Sequence, residues 1–197
     1  QNISGILLCD GVLFSNGNIT LLSDVNGTAL IDGNGMGAVV GEVTVQRFIP
    51  LSKAKGYKHF SSAFSNATLG QLGNFMNLHL GNVTNSPYPT VFKFNETAAY
   101  PYFANGWVAA AAQGQTNAIF DVGAGYTVQL GNSAGQNITT YLRGSVNTGN
   151  ISVNVSKNNP GPGRGDGWNL IGNPYPSPID LDKLPFDNAK LNKSVSI

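Results

Sequence analysis

Gly131-Asn132-Ser133-Ala134-Gly135 has the G-x-S-x-G form of a nucleophile elbow. That motif works as a sharp strand-to-helix turn, with an acid and then a histidine following later in the chain. Tyr126, Val128 and Leu130 supply a strand before it, but Ile138-Thr139-Thr140-Tyr141-Leu142 reads as a second strand. His59 and His79, the two histidines, both precede the serine, so the segment reads as a hairpin loop. The same two histidines lie outside any H-E-x-x-H pattern and read as structural, not as a metal pair. Gly33-Asn34-Gly35-Met36-Gly37 runs into a Val-rich strand; without a helix N-terminus it offers no anion cradle. The ten acids are thinly spread, with Asp180 and Asp182 the closest pair, and they do not gather beside aromatics as a glycosidase pair would. Asp24, Asp32 and Asp180 sit on turns where calcium binds in other proteins, yet EF-type spacing is missing. No cofactor is expected, calcium being the one ion left open, and with no nucleophile, base and acid in workable order the chain reads as non-enzymatic.

Binding residues are a separate question. Tyr100-Pro101-Tyr102-Phe103, Trp107 and Trp168 carry the side chains on which sugars stack. Tyr102 and Trp107 are the candidate ligand-binding residues, weighed against the plainer reading that each Trp fills a core. Arg164-Gly165-Asp166 beside Pro160-Gly161-Pro162-Gly163 spells an integrin-type tripeptide, which short sequences produce by chance. A net charge of +1, with Lys53, Lys55 and Lys58 as the densest basic cluster, lacks the basic stripe that displaces counterions from phosphates; nucleic acid is excluded as a partner. Cys9 stands alone in Ile6-Leu7-Leu8-Cys9 and reads as a buried, inert thiol.

These residues must be positioned by short elements and many turns. Only 11% of the 197 residues are charged, while Gly reaches 25, and Gly and Asn favour turns over strand interiors. Over residues 1–35, Ile6-Leu7-Leu8, Val12-Leu13-Phe14, Ile19-Thr20-Leu21-Leu22 and Ala29-Leu30-Ile31 alternate with Asp10-Gly11, Asn16-Gly17, Asn26-Gly27 and Asp32-Gly33. Such spacing predicts stacked short strands, the end of a β-solenoid, or alternatively a meander within the main domain. From residue 36 to 197 a β-sandwich module is expected. Val43, Val45 and Ile49 share a face, Tyr126, Val128 and Leu130 another, and Ile151, Val153 and Val155 a third, in the period-two pattern of antiparallel strands with one wet side. The fold class is therefore all-β, an antiparallel sandwich or jelly-roll-like fold with one or two short helices. Thr68 and Gln71 suggest a capping box before Leu69, Leu72, Phe75 and Met76, and Ser177-Pro178-Ile179-Asp180 a second helix start.

Ten N-x-[ST] sequons, among them Asn18, Asn66, Asn137 and Asn154, accompany a single cysteine. A eukaryotic secretory domain of this size would be expected to carry cysteine pairs, so bacterial export fits better. No apolar run approaches the ~20 residues that span a bilayer. Gln1-Asn2-Ile3-Ser4 lacks a signal-peptide pattern, and the chain reads as excised from something longer.

Gly167-Trp168-Asn169-Leu170-Ile171-Gly172-Asn173-Pro174-Tyr175-Pro176-Ser177-Pro178-Ile179-Asp180 resembles a signature of very large surface proteins of gliding bacteria that use type IX secretion. Gly27-Thr28-Ala29-Leu30-Ile31, Gly41-Glu42-Val43-Thr44-Val45-Gln46-Arg47-Phe48-Ile49-Pro50, Tyr57-Lys58-His59-Phe60-Ser61-Ser62, Gly123-Ala124-Gly125-Tyr126, and Leu142-Arg143-Gly144 with Thr148-Gly149 are similar to passages of that family in the same order. The resemblance implies an extracellular or cell-surface, adhesin-like β-sandwich module. Its implied partners are the neighbouring domains of the same polypeptide, the outer-membrane secretion machinery, and glycans or surfaces. A carbohydrate-binding accessory module of a secreted enzyme is the alternative. Leu181 stands where that family usually has Trp, and the sequence stops at Ile197 before the last strands such modules add, so the module is expected either to continue past Ile197 or to be a copy cut short at its C-terminus. Physically the three alternating prolines predict a stiff corner leaving a strand at Trp168–Ile171, with Trp168 and Leu170 buried and Asp180 capping local amides.

Overall fold

Asn16 and Gly17 both adopt positive φ, 48° and 70°, a tight turn that Asn and Gly accommodate at little steric cost. The turn links β3 (Val12–Phe14) to β4 (Ile19–Leu21), and the strands around it define the first part of the fold. A computed structural model describes residues 1–32, 37–81, 88–99, 101–130, 136–157 and 167–185. Before the turn come β1 (Asn2–Ile3) and β2 (Ile6–Leu8); after it come the hairpin β5 (Ser23–Asp24) with β6 (Gly27–Thr28), then β7 (Leu30–Asp32), β8 (Ala38–Val40) and β9 (Glu42–Ile49). β1 pairs parallel with β4, β2 with β7, β3 with β8, and β4 with β9. The strands of residues 1–32 and 37–40 thus stack as two turns of chain. Gly37 fits between them because a Cβ there would strike the carbonyl oxygens of Cys9 and Gly11.

β9 is also the bridge to the rest of the molecule. On its far side it pairs antiparallel with β14 (Ile138–Ser145), Ile138 opposite Ile49 through to Ser145 opposite Glu42. This completes a mixed four-stranded sheet in the order β1-β4-β9-β14. A second four-stranded sheet is antiparallel throughout, built from β10 (Tyr57–Phe60), β11 (Val91–Phe94), β12 (Trp107–Ala109) and β13 (Tyr126–Gln129) in the order β10-β13-β11-β12. One apolar core draws on both sheets: Leu21, Val43 and Leu142 from the first, Val91, Tyr126 and Val128 from the second, with Phe64, Leu69, Leu72 and Phe120 from the connections. Each fully buried aliphatic or aromatic side chain contributes about 1.5–3 kcal/mol of transfer free energy.

The chain is all-β, as its sequence implied. Helix among the described residues is confined to short 3-10 turns, the longest Leu69–Asn74. The expected capping box does not form there. Thr68 makes no side-chain cap, and the Gln71 amide instead bonds the backbone of Arg143 in β14, donating at 2.9 Å and accepting at 2.7 Å. Near the C-terminus the turn is Leu181–Lys183, capped by Asp180, which accepts from the Asp182 amide.

Two expected strands are not formed. Residues 151–157 form no strand, leaving Val153 and Val155 38% and 40% exposed. In place of a neighbouring strand, the Asn169 side chain accepts from the Ser156 amide and donates to its carbonyl at 3.1 and 2.8 Å. Residues 168–171 form no strand and pair through the isolated bridge Ala124↔Ile171, with the Gly125 amide donating to the Leu170 carbonyl at 3.0 Å, and Trp168 is 50% exposed, not buried. A period-two pattern records an extended chain with two unlike sides; it does not guarantee that a partner backbone lies alongside.

Candidate functional site

Alternation along a strand puts every second side chain on one face, and in β10 and β11 that rule collects aromatics. Tyr57 opposes Gln129 and His59 opposes Thr127 in β13, while Phe92 opposes Thr127 on the other flank and Ala109 in β12; Phe94 opposes Trp107. All of these share the face turned away from Phe60, Tyr126, Val91 and Val128, which point into the core. The rings touch one another. Tyr57 meets Phe92 edge-on at 6.2 Å, His59 stacks on Trp107 at 6.5 Å, and Phe94 lies T-shaped to Trp107 at 5.1 Å and beside Phe103 at 4.8 Å. Contacts of this kind add about 0.5–1.5 kcal/mol each beyond area burial and hold the platform rigid. His59 Nδ1 and Thr127 Oγ1 lie 3.0 Å apart, which fixes the imidazole plane against the indole. Gln129 Oε1 is buried on this sheet without a hydrogen-bond partner among the described residues.

Of the two candidate ligand-binding residues, Trp107 is at the centre of this platform. Tyr102 is not part of it: it stands 70% exposed ahead of the 3-10 turn Phe103–Gly106 and makes no ring contact among the described residues. Tyr57, His59, Phe92 and Phe94 were not singled out from sequence as ligand contacts. Their signal was there in the aromatic residues at i and i+2 of two strands, which share a face once the strands pair.

The signature segment forms a second polar assembly. Ser61 donates to the Asn173 carbonyl at 2.9 Å, Asn147 to the Pro174 carbonyl at 2.9 Å, and Asn173 to the Ser177 carbonyl at 2.6 Å. The Tyr175 amide donates to Asn173 Oδ1 at 3.0 Å, and the Tyr175 hydroxyl to the Gly149 carbonyl at 2.6 Å. Gly172 donates to the Gly123 carbonyl at 2.9 Å; a Cβ on it would lie 2.7 Å from the Ala124 carbonyl oxygen. Between this segment and the stacked turns lies a cleft of about 480 Å³ lined by Cys9, Asp32, Val39, Asn147, Tyr175 and Ile179.

The remaining candidates are held locally. Asp24 accepts from the Asn26 amide across the β5–β6 turn, and Asp180 pairs with Lys183 at 3.2 Å. Among the described residues no three His, Cys, Asp or Glu side chains gather closely enough to hold a metal ion. Cys9 is buried, its thiol facing the carbonyls of Gly11 and Ala38. Glu96 is 5% exposed and accepts from Ser156 Oγ and the Gly167 amide, both at 3.2 Å. Burial lowers the pKa of the Arg47 guanidinium, which donates to the Gln46 carbonyl at 2.8 Å. Ser133 and the Arg164-Gly165-Asp166 tripeptide lie outside the described residues.

The family described as Domain of unknown function (DUF8693) matches residues 11–197. The chain belongs to that family. The DUF8693 match takes in the second four-stranded sheet, β4, β9 and β14 of the first, and the signature segment, and it leaves β1 and β2 outside. No curated protein and no solved structure matches the chain. No helix among the described residues is long and apolar enough to cross a membrane.

Proposed function

We propose that this DUF8693 domain is a non-enzymatic structural or adhesive module of a large bacterial protein that is secreted or displayed on the cell surface. Its partners are the neighbouring domains of the same polypeptide and the outer-membrane secretion machinery. The observation that carries the reading is the internal use of the signature segment. Asn173, Tyr175 and Gly172, with Ser61 and Asn147 facing them, bond backbone groups that join the segment to the ends of both sheets. A motif whose polar atoms bond backbone of its own domain works as a clasp between the sheets, a structural use of those atoms. The resemblance to type IX surface proteins supports the proposed location. Deleting residues 1–197 from the parent protein should abolish cell attachment or surface retention and leave every secreted enzymatic activity intact. Loss of a turnover with attachment unchanged would refute the reading.

The aromatic platform supports a second reading, a carbohydrate-binding module. Flat rings on a rigid sheet stack against the apolar faces of sugars, and Tyr57, 59% exposed and edge-on to Phe92, and Trp107, stacked with His59, are the rings that would take them. Binding on a glycan array that falls about tenfold, a loss of ~1.4 kcal/mol, in both Tyr57→Ala and Trp107→Ala would favour this reading. Binding indifferent to both variants would remove it.

A further inference from the structure

We infer that the open end of the stacked turns, the free edge of β1, β2 and β3, is a docking surface for one more turn of parallel β-coil supplied by the same polypeptide on the N-terminal side of Gln1. The inference rests on the reading of the chain as one module of a longer protein.

Three columns of inward-pointing side chains run through the stack: Ile3–Leu21–Val45, Leu7–Ile31 and Leu13–Val39. In the second turn these positions are buried, with Leu21 at 0%, Ile31 at 9% and Val39 at 9% exposed. In the first turn Ile3, Leu7 and Leu13 are only half-buried. The residue types and the side of the strand are the same; what differs is a covering layer. The backbone has the same asymmetry. Carbonyls of Gln1, Gly5 and Gly11 accept from Thr20, Leu30 and Ala38 at 2.8, 3.2 and 3.0 Å, while the other edge of β1, β2 and β3 pairs with no strand among the described residues.

Proteins that end a stack do so with polar capping turns, and they blunt free edges with Lys, Pro or bulges. Residues 1–14 contain no proline and a single charge, Asp10. The outward-facing residues of β2 and β3 are apolar as well: Ile6, Leu8, Val12 and Phe14 are 58–67% exposed, and a further turn would extend the ladders they form with Leu30, Asp32, Ala38 and Val40. The edge is built as an interior layer.

The occupant follows from the existing seams. Four pairings are parallel, and parallel strands are joined by crossovers that carry the chain around, not by hairpins. The same translation that relates the second turn to the first generates the missing one. The chain would also enter at the right place. Gln1 bonds over Asn18 and Thr20, so it occupies in the first turn the position at which the turn through Asn16 and Gly17 delivers the chain to β4. The seam between turns already crosses a boundary of this kind, since β1 and β2 lie outside the DUF8693 match and their partners β4 and β7 lie within it.

Hydrogen exchange of the full parent polypeptide and of the 197-residue chain tests the proposal. In the parent, amides of residues 2–14 should exchange at least about tenfold more slowly than in the shorter chain, reaching the protection of residues 19–21 and 43–45. Equal, fast exchange in a parent that does extend upstream of Gln1 overturns the docking and leaves the module reading standing. A natural polypeptide with nothing upstream of Gln1 removes both. Concentration-dependent protection and dimerisation of the 197-residue chain, lost in Leu7→Lys/Leu13→Lys, would assign the edge to a second copy and overturn the proposal as well.

Discussion

Tyr126 is the group expected to cost the fold stability in alkali. Its side chain is 1% exposed, T-shaped to Phe120 at 5.0 Å, and its hydroxyl accepts from the Asp121 amide at 2.8 Å. Burial disfavours the phenolate, the Asp121 carboxylate adds to the effect, and the pKa is pushed up from 10.0 to about 12. In the unfolded chain the phenol ionises at its ordinary 10.0. Between those two values the unfolded state has shed the proton and the native state still holds it, so stability falls as pH rises. The contribution is fully present below pH 10 and is lost towards pH 12. At ~1.4 kcal/mol per unit, the loss across that window is roughly 2–3 kcal/mol. Tyr126→Phe removes the titration. It also deprives the Asp121 amide of its acceptor, costing about 1 kcal/mol near neutrality. Urea unfolding followed by the fluorescence of Trp107 and Trp168 should therefore show wild type more stable near neutrality and the two proteins converging or crossing by the alkaline end. Parallel stability curves for the two proteins through the window would refute the argument, because the proton that matters would then belong to another group.

Two further substitutions probe packing. Phe64→Ala, at a side chain 1% exposed, should cost ~3–5 kcal/mol, whereas Trp168→Ala, at 50% exposed, should cost no more than roughly 1–2 kcal/mol; thermal melts of both rank them. Gly172→Ala should lose about 1–3 kcal/mol through overpacking against the Ala124 carbonyl and Ser61, with the far-ultraviolet β signal retained in circular dichroism.

Several features were legible in the residues themselves. The turn pairs and the apolar triplets Ile6–Leu8 and Val12–Phe14 describe short strands, because Asn-Gly accepts positive φ and ends an extended run after about three residues. The alternation of Val43 with Thr44 and of Val128 with Thr127 and Gln129 gives a strand and its two faces from covalent geometry alone. Asp180 ahead of a turn was readable for the same reason, whereas the burial of Cys9, suggested by its aliphatic neighbours, is completed by Gly37 and Ala38 of the next turn.

Other features depend on distant backbone. Trp168 looked like a core residue by composition, but the Asn169 side chain takes the hydrogen bonds of Ser156 and holds the segment at the surface, where the indole remains half exposed. Gln71 suits a capping box until Arg143, seventy-two residues away, offers its backbone instead. The aromatic platform is similar: Tyr57 and His59 share a face by sequence, yet their meeting with Phe92, Phe94 and Trp107 needs the order β10-β13-β11-β12. Sequence determined which residues are extended, which turn and which side of each strand is apolar, since these follow from local sterics and period. Tertiary structure decided which strands became neighbours, and with them which apolar sides were covered and which, at Ile3, Leu7 and Leu13, remained partly uncovered. Pairing is a competition among backbones far apart in the chain, and no local pattern records its outcome.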